Sequence, residues 1–110
     1  MITVISGTNR TGSVTAQVAA FVTEAYAELG TEVGILDLAE LPLETLSPNA
    51  YVEKPARVLE FVDQILASSG LVAIVPEYNG SMPGVLKLFI DMLPFPESFE
   101  DRPVSYVGLA

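Results

Sequence analysis

Met1-Ile-Thr-Val-Ile-Ser-Gly-Thr-Asn-Arg-Thr-Gly-Ser-Val-Thr15 carries a short β-branched apolar run into a polar, glycine-containing turn and out into a periodic apolar pattern. The run Met1 to Ser6 reads as a buried strand that stops at Gly7. From Ser13 to Leu29 the residues Val14, Val18, Phe21, Val22, Ala25, Tyr26 and Leu29 recur at helical spacing, which predicts an amphipathic helix ended by Gly30 in the left-handed conformation.

The same alternation continues outward. Glu32 to Leu38 reads as a second strand, and Ala39 to Glu53, with Pro42 and Pro48, as a loop. A second helix starts at Pro55 and runs through Val58, Leu59, Phe61, Val62, Ile65 and Leu66 to Gly70. Leu71 to Val75 is unbroken apolar sequence, the pattern of a strand covered on both faces. Pro76 to Pro83 is a polar turn, Val85 to Leu93 a shorter helix stopped by Pro94, and Val104 to Leu109 a fourth strand. Alternating strands and helices predict an α/β fold with a doubly wound parallel sheet and right-handed crossovers. Such sheets bind ligands beyond the carboxyl ends of the strands, where strand order reverses. For the order 2-1-3-4-5 that point lies between strands 1 and 3, and the loops after those strands, 7–13 and 76–84, are the two most unusual polar stretches of the chain.

Composition narrows the chemistry. The 110 residues suit one domain, 1–110, and include neither His nor Cys. That excludes a Ser-His-Asp triad, a Cys nucleophile, the usual zinc ligands, a CxxC pair and disulfides. Reactive atoms for redox or group transfer must therefore be borrowed. Fourteen Asp and Glu against five Lys and Arg give a formal charge of −9, which argues against nucleic acid and anionic membrane surfaces as partners. The N-terminus has no basic segment followed by an apolar one, so a cytoplasmic location is the default expectation. Lys87 and Asp91 interrupt the only long apolar stretch, short of the ~20 residues a membrane helix needs.

Against this acidic background, the stretch Gly7 to Thr15 contains no carboxylate and holds Arg10, the only cation in the first 53 residues. Placed at a helix N-terminus, its free amides, hydroxyls and glycines suit a phosphate. Gly7 to Gly12 fits the spacing of a nucleotide-triphosphate loop, but Ser13 stands where the essential Lys belongs. The dinucleotide pattern GxGxxG is absent, although Asp37 could stand for its acidic residue. A plain helix cap by Ser13 or Thr11 is the bland alternative.

Pro76-Glu-Tyr-Asn-Gly-Ser-Met-Pro-Gly-Val-Leu-Lys-Leu-Phe-Ile-Asp91 resembles the flavin-loop signature of the NADPH-dependent FMN reductases, a flavodoxin-like family that includes quinone, azo and chromate reductases. Gly7-Thr-Asn-Arg-Thr-Gly-Ser13 is similar to that family's phosphate loop, with Thr8 replacing Ser, and Arg102 to Leu109 resembles its fourth strand. The resemblance implies that Thr8, Arg10, Ser13 and Thr15 hold the FMN phosphate. It implies that Pro76, Glu77, Tyr78, Asn79, Gly80 and Ser81 line the isoalloxazine ring, mostly through backbone groups. Half-buried packing of Tyr78 and a solvated Glu77 are the bland readings, and Lys87 with Asp91 reads as a solvated ion pair at i, i+4.

In the family, strand 4 is followed by a further loop, a helix, a fifth strand and a last helix. By resemblance, this chain is therefore expected to be an incomplete domain with strands in the order 2-1-3-4 and strand 4 as an open edge. The implied activity is transfer of hydride from NAD(P)H to FMN and on to a small-molecule acceptor: a quinone, azo compound, free flavin or metal oxyanion. No catalytic acid, base or metal is needed from the protein, because the cofactor does the chemistry. The alternatives are a flavodoxin-type electron carrier and an inactive fragment acting as an interaction module. A phosphoacceptor receiver domain would need an Asp where Val75-Pro76 stands. Pro94 to Phe99 is apolar for a loop, and by resemblance marks a subunit contact of a homodimer or homotetramer; covering of the sheet edge is the competing reading.

Overall fold

The structure, a computed structural model, describes residues 1–110. Four parallel strands, β1 (Ile2–Ser6), β2 (Val33–Asp37), β3 (Gly70–Pro76) and β4 (Val104–Leu109), form one sheet in the order β2-β1-β3-β4. Three helices connect them: α1 (Val14–Glu28), α2 (Ala56–Ala67) and α3 (Gly84–Met92). The doubly wound parallel sheet expected from the alternation of elements is present, in the flavodoxin-like order that the resemblance implies. β1 pairs with both neighbours, Ile2 with Val33 and Gly70, and Ser6 with Asp37 and Ile74. The chain leaves β1 toward β2 and returns across it to β3, so strand order reverses between β1 and β3.

Period-two alternation sends the sheet's side chains into two cores. Val4, Val72 and Ile74 pack with Ala19 of α1 on one face. Ile5 and Leu71 pack with Phe61 and Ile65 of α2 and with Leu86 and Phe89 of α3 on the other. Phe61 and Phe89 meet edge to face, centroids 6.0 Å apart, the offset that the ring quadrupoles favour. Each such fully buried side chain stabilises the fold by about 1.5–3 kcal/mol.

Several boundaries differ from the sequence expectation, each for a local reason. Ala39 to Glu53 is not plain loop but holds three 3-10 turns, Leu38–Glu40, Leu43–Leu46 and Pro48–Tyr51. Asp37 caps the first of them by accepting from the amide of Ala39 at 2.9 Å. α2 stops at Ala67 rather than reaching Gly70; the Ser68 hydroxyl donates to the Gln64 carbonyl at 2.7 Å, and Gly70 opens β3 beneath the Ile2 side chain. Gly30 does end α1 as expected, at φ +78°, with Thr31 donating to the Tyr26 carbonyl.

The α1 stripe is wider than the surface it packs on: Val18, Val22 and Tyr26 are half-buried, whereas Val14, Phe21 and Leu29 are exposed. β4 is an edge strand, with Tyr106 exposed. Between Pro94 and Phe99, Phe99 is partly exposed and lines an apolar cavity with Val104 and Tyr106, while Phe95 stands in solvent. No helix is long and apolar enough to cross a membrane.

Candidate functional site

The loops after β1 and β3 meet where strand order reverses. The Gly7 amide donates to the Ile74 carbonyl at 2.9 Å. A Cβ on Gly7 would come within 2.6 Å of that same carbonyl oxygen, so only glycine allows this approach. The next residue, Thr8, is buried, and its hydroxyl lies 2.6 Å from that of Tyr78. Arg10 places its guanidinium over the Tyr78 ring, 4.9 Å from the centroid, a cation–π contact. Thr8, Arg10 and Tyr78, taken separately from the sequence, thus form one cluster.

The remaining residues of the first loop present donors. Ser13 caps α1, its hydroxyl accepting from the Ala16 amide at 3.0 Å, so the bland capping reading holds beside any ligand role. Thr15 is buried in the first turn. The backbone amides from Thr11 to Thr15 donate to no carbonyl of the chain, as expected of a helix N-terminus. Ser6, the last residue of β1, is fully buried with an unpartnered hydroxyl. Free amides, hydroxyls and one guanidinium make a donor set that fits a phosphate.

The second loop is built as a tight turn. Tyr78 and Ser81 exchange both backbone hydrogen bonds, at 2.8 and 3.1 Å, around Asn79 (φ +52°) and Gly80 (φ +81°). Both central residues are left-handed, as a type I′ turn requires. Glu77 accepts from the Gly80 amide through its carboxylate and donates its own amide to Leu109 of β4 at 2.8 Å. Glu77 is therefore a brace for the turn, not merely a solvated charge. Pro76 is buried at the end of β3, opposite Leu109, while Asn79, Gly80 and Ser81 are exposed. The amides of Glu77, Tyr78, Gly80 and Ser81 are already engaged, which leaves that of Asn79 free at the turn. Arg10, residues 76–79 of the turn and Ala110 beyond β4 border one open hollow of about 540 Å³.

Of the five cations, four lie away from the crevice: Lys54 lines a separate hollow with Glu53, Pro55 and Arg57 at the start of α2. Lys87 pairs with Asp91, Arg57 with Glu40 and Glu60, and Arg102 with backbone carbonyls. The bonds to Glu60 and Glu40 raise the Arg57 pKa further above its ordinary value. Asp37 is spent on its 3-10 cap. Arg10 is the cation that reaches the crevice.

The family model for NADPH-dependent FMN reductase matches residues 1–110. The chain belongs to that family. It is 29% identical over 109 residues to the FMN-dependent NADPH-azoreductase of Staphylococcus aureus, covering 96% of this chain and 57% of that protein. Among solved structures it resembles FerB, a flavoenzyme NAD(P)H:(acceptor) oxidoreductase from Paracoccus denitrificans, with a TM-score of 0.76, 30% identity, and coverage of 97% of this chain and 59% of the other. An oxidoreductase from Corynebacterium diphtheriae aligns with a TM-score of 0.79 at 27% identity, covering 99% of this chain and 63% of that one. The chain thus spans 57% of the Staphylococcus azoreductase, well short of its full length. The flavodoxin-like topology and the flavin-reductase membership expected from Pro76 to Asp91 both stand.

Proposed function

We propose that the crevice between the two loops binds FMN and that the flavoprotein oxidises NAD(P)H at the expense of a small-molecule acceptor. The observation that carries this is the latch Thr8–Tyr78 with Arg10 stacked upon it, which places a phosphate-type donor set and a flat turn side by side at the switch point. In this reading Thr8, Arg10, Ser13 and Thr15 face the phosphate, and Pro76 to Ser81 face the ring. Arg10 and the α1 amides offset the repulsion that a chain of charge −9 exerts on a phosphate. Tyr78 holds Arg10 in place, and Glu77 keeps the turn rigid, so the ring meets a preformed edge. When FMN is bound, its ring supplies the two-electron chemistry by which NAD(P)H reduces the acceptor.

The acceptor is proposed only as a class, covering quinones, azo compounds, flavins and metal oxyanions. The name of the Staphylococcus relative supports an azo compound, and that of FerB an unspecified acceptor. A homodimer or homotetramer and a cytoplasmic setting complete the proposal; the exposed Phe21 and Phe95 support self-association.

The test is titration of the purified chain with FMN, followed by flavin fluorescence, and then NADPH oxidation with a quinone. Saturable quenching and acceptor-dependent turnover are expected. A folded protein that takes up no FMN sinks the proposal. Light scattering checks the oligomer, and a clean monomer at working concentration removes that part alone.

A further inference from the structure

Asn79-Gly80 is the only place in the chain where Asn precedes Gly; Asn9 is followed by Arg and Asn49 by Ala. Asparagine before glycine is chemically unstable. The glycine nitrogen attacks the asparagine side-chain carbonyl and bonds to Cγ, while the side-chain nitrogen leaves as ammonia, taking up the proton released from the glycine amide. Water then opens the cyclic imide to aspartate or isoaspartate. Glycine favours the attack because it has no Cβ to restrict the backbone that carries the nitrogen. Asn79 and Gly80 are both exposed, so water reaches them.

Three hydrogen bonds oppose this reaction. Tyr78 and Ser81 pair in both directions across the turn and hold Asn79 at φ +52°. The third bond fixes the nucleophile itself, because the Gly80 amide donates to the Glu77 carboxylate. To reach Cγ of Asn79, that nitrogen must turn away from Glu77 and the backbone must leave the left-handed conformation. We propose that Glu77 preserves Asn79 through this bond, and that Asn79 is a deamidation site that opens when the bond is lost. Deamidation places a new carboxylate on the hollow that Arg10 borders, and isoaspartate adds a backbone carbon to a tightly paired turn. The consequence for FMN rests on the flavin reading of the crevice; the chemistry at Asn79 does not.

The test incubates the folded chain without FMN at neutral pH, below its melting temperature, and follows the amide-to-acid conversion of each Asn by peptide mass spectrometry. Asn9 and Asn49 serve as internal references and should stay unchanged. Glu77→Ala is expected to convert Asn79 about tenfold faster than wild type, the effect of releasing one charge-assisted hydrogen bond. Glu77→Gln, which keeps an acceptor oxygen, should restore most of the protection. In urea the difference between wild type and Glu77→Ala should vanish, because the bond exists only in the folded turn. Equal rates in the folded chains, or a difference that persists in urea, overturns the proposal. Slower conversion in both variants also overturns it, since the carboxylate would then be a base that activates Gly80. FMN titration of the same samples keeps the two readings apart: a chain whose Asn79 is protected by Glu77 but that takes up no FMN retains this inference and loses the flavin reading.

Discussion

The hydroxyls of Thr8 and Tyr78 stand 2.6 Å apart although the residues are 70 positions apart in the chain, and they tie the loop after β1 to the loop after β3. Thr8 is 1% exposed, and its only other partner is the Arg10 amide at a long 3.4 Å. Tyr78→Phe removes the bond but keeps the ring under Arg10. It should therefore cost about 1–2 kcal/mol, the penalty of a buried hydroxyl left almost unpaired. Urea unfolding checks this, and an unchanged midpoint would mean that the two loops are held by other contacts. Tyr78→Leu also removes the platform for Arg10 and should weaken FMN binding more than Tyr78→Phe does.

Gly7 sets how closely the two loops approach. Gly7→Ala drives a Cβ to 2.6 Å from the Ile74 carbonyl oxygen, a backbone atom that cannot swing aside. Either the bond between the Gly7 amide and Ile74 breaks or the strands separate. A loss of about 2–3 kcal/mol is expected from overpacking of this kind, measured as a lower melting temperature. Because α1 starts from this loop, FMN uptake should fall too. Retained stability would show that the loop can shift without cost.

The strands and helices were legible because each carries its own period: Leu71 to Ile74 is buried throughout, as an unbroken apolar run should be. The strand order came instead from the family resemblance. The α1 stripe was legible as a helix but not as a surface, since spacing does not reveal that Val14 and Phe21 face solvent. The 3-10 turns after β2 were hidden, because Pro42 and Pro48 signal breaks and not the short turns between them. At the site, residue types marked both loops, but no local pattern foretells a Thr8–Tyr78 bond or a Glu77 carboxylate turned back on Gly80. Such contacts depend on tertiary approach, which one-dimensional spacing does not encode.

Arg102 acts as a clasp. Its guanidinium donates to the carbonyls of Leu66 (3.0 Å), Ser68 (2.8 Å) and Glu97 (2.8 Å), and also to that of Ser98. Two of these lie at the C-terminal end of α2, where a cation also complements the helix dipole. The other two fix the turn that delivers the chain into β4. Arg102→Met should cost about 2 kcal/mol, a value reduced for partial exposure. Arg102→Lys should recover little of it, because an ammonium cannot span the fork. Hydrogen exchange at β4 amides should accelerate in both variants while β1 stays protected. Equal exchange in the wild type and Arg102→Met would remove the clasp.

Arg10 provides the sharpest test of how the crevice treats charge. It is exposed, is stacked on Tyr78, and lies in a loop without carboxylates. If it faces the FMN phosphate, Arg10→Gln should weaken FMN by about tenfold, the range of one charge-assisted hydrogen bond. Riboflavin, which has the same ring and no phosphate, should bind wild type and variant alike. Raising the salt concentration should erode the difference for FMN, since an exposed cation is screened. Equal losses for FMN and riboflavin would instead mean that Arg10 supports the ring through Tyr78, and the phosphate would then have to rest on the α1 amides and the hydroxyls of Thr8, Ser13 and Thr15.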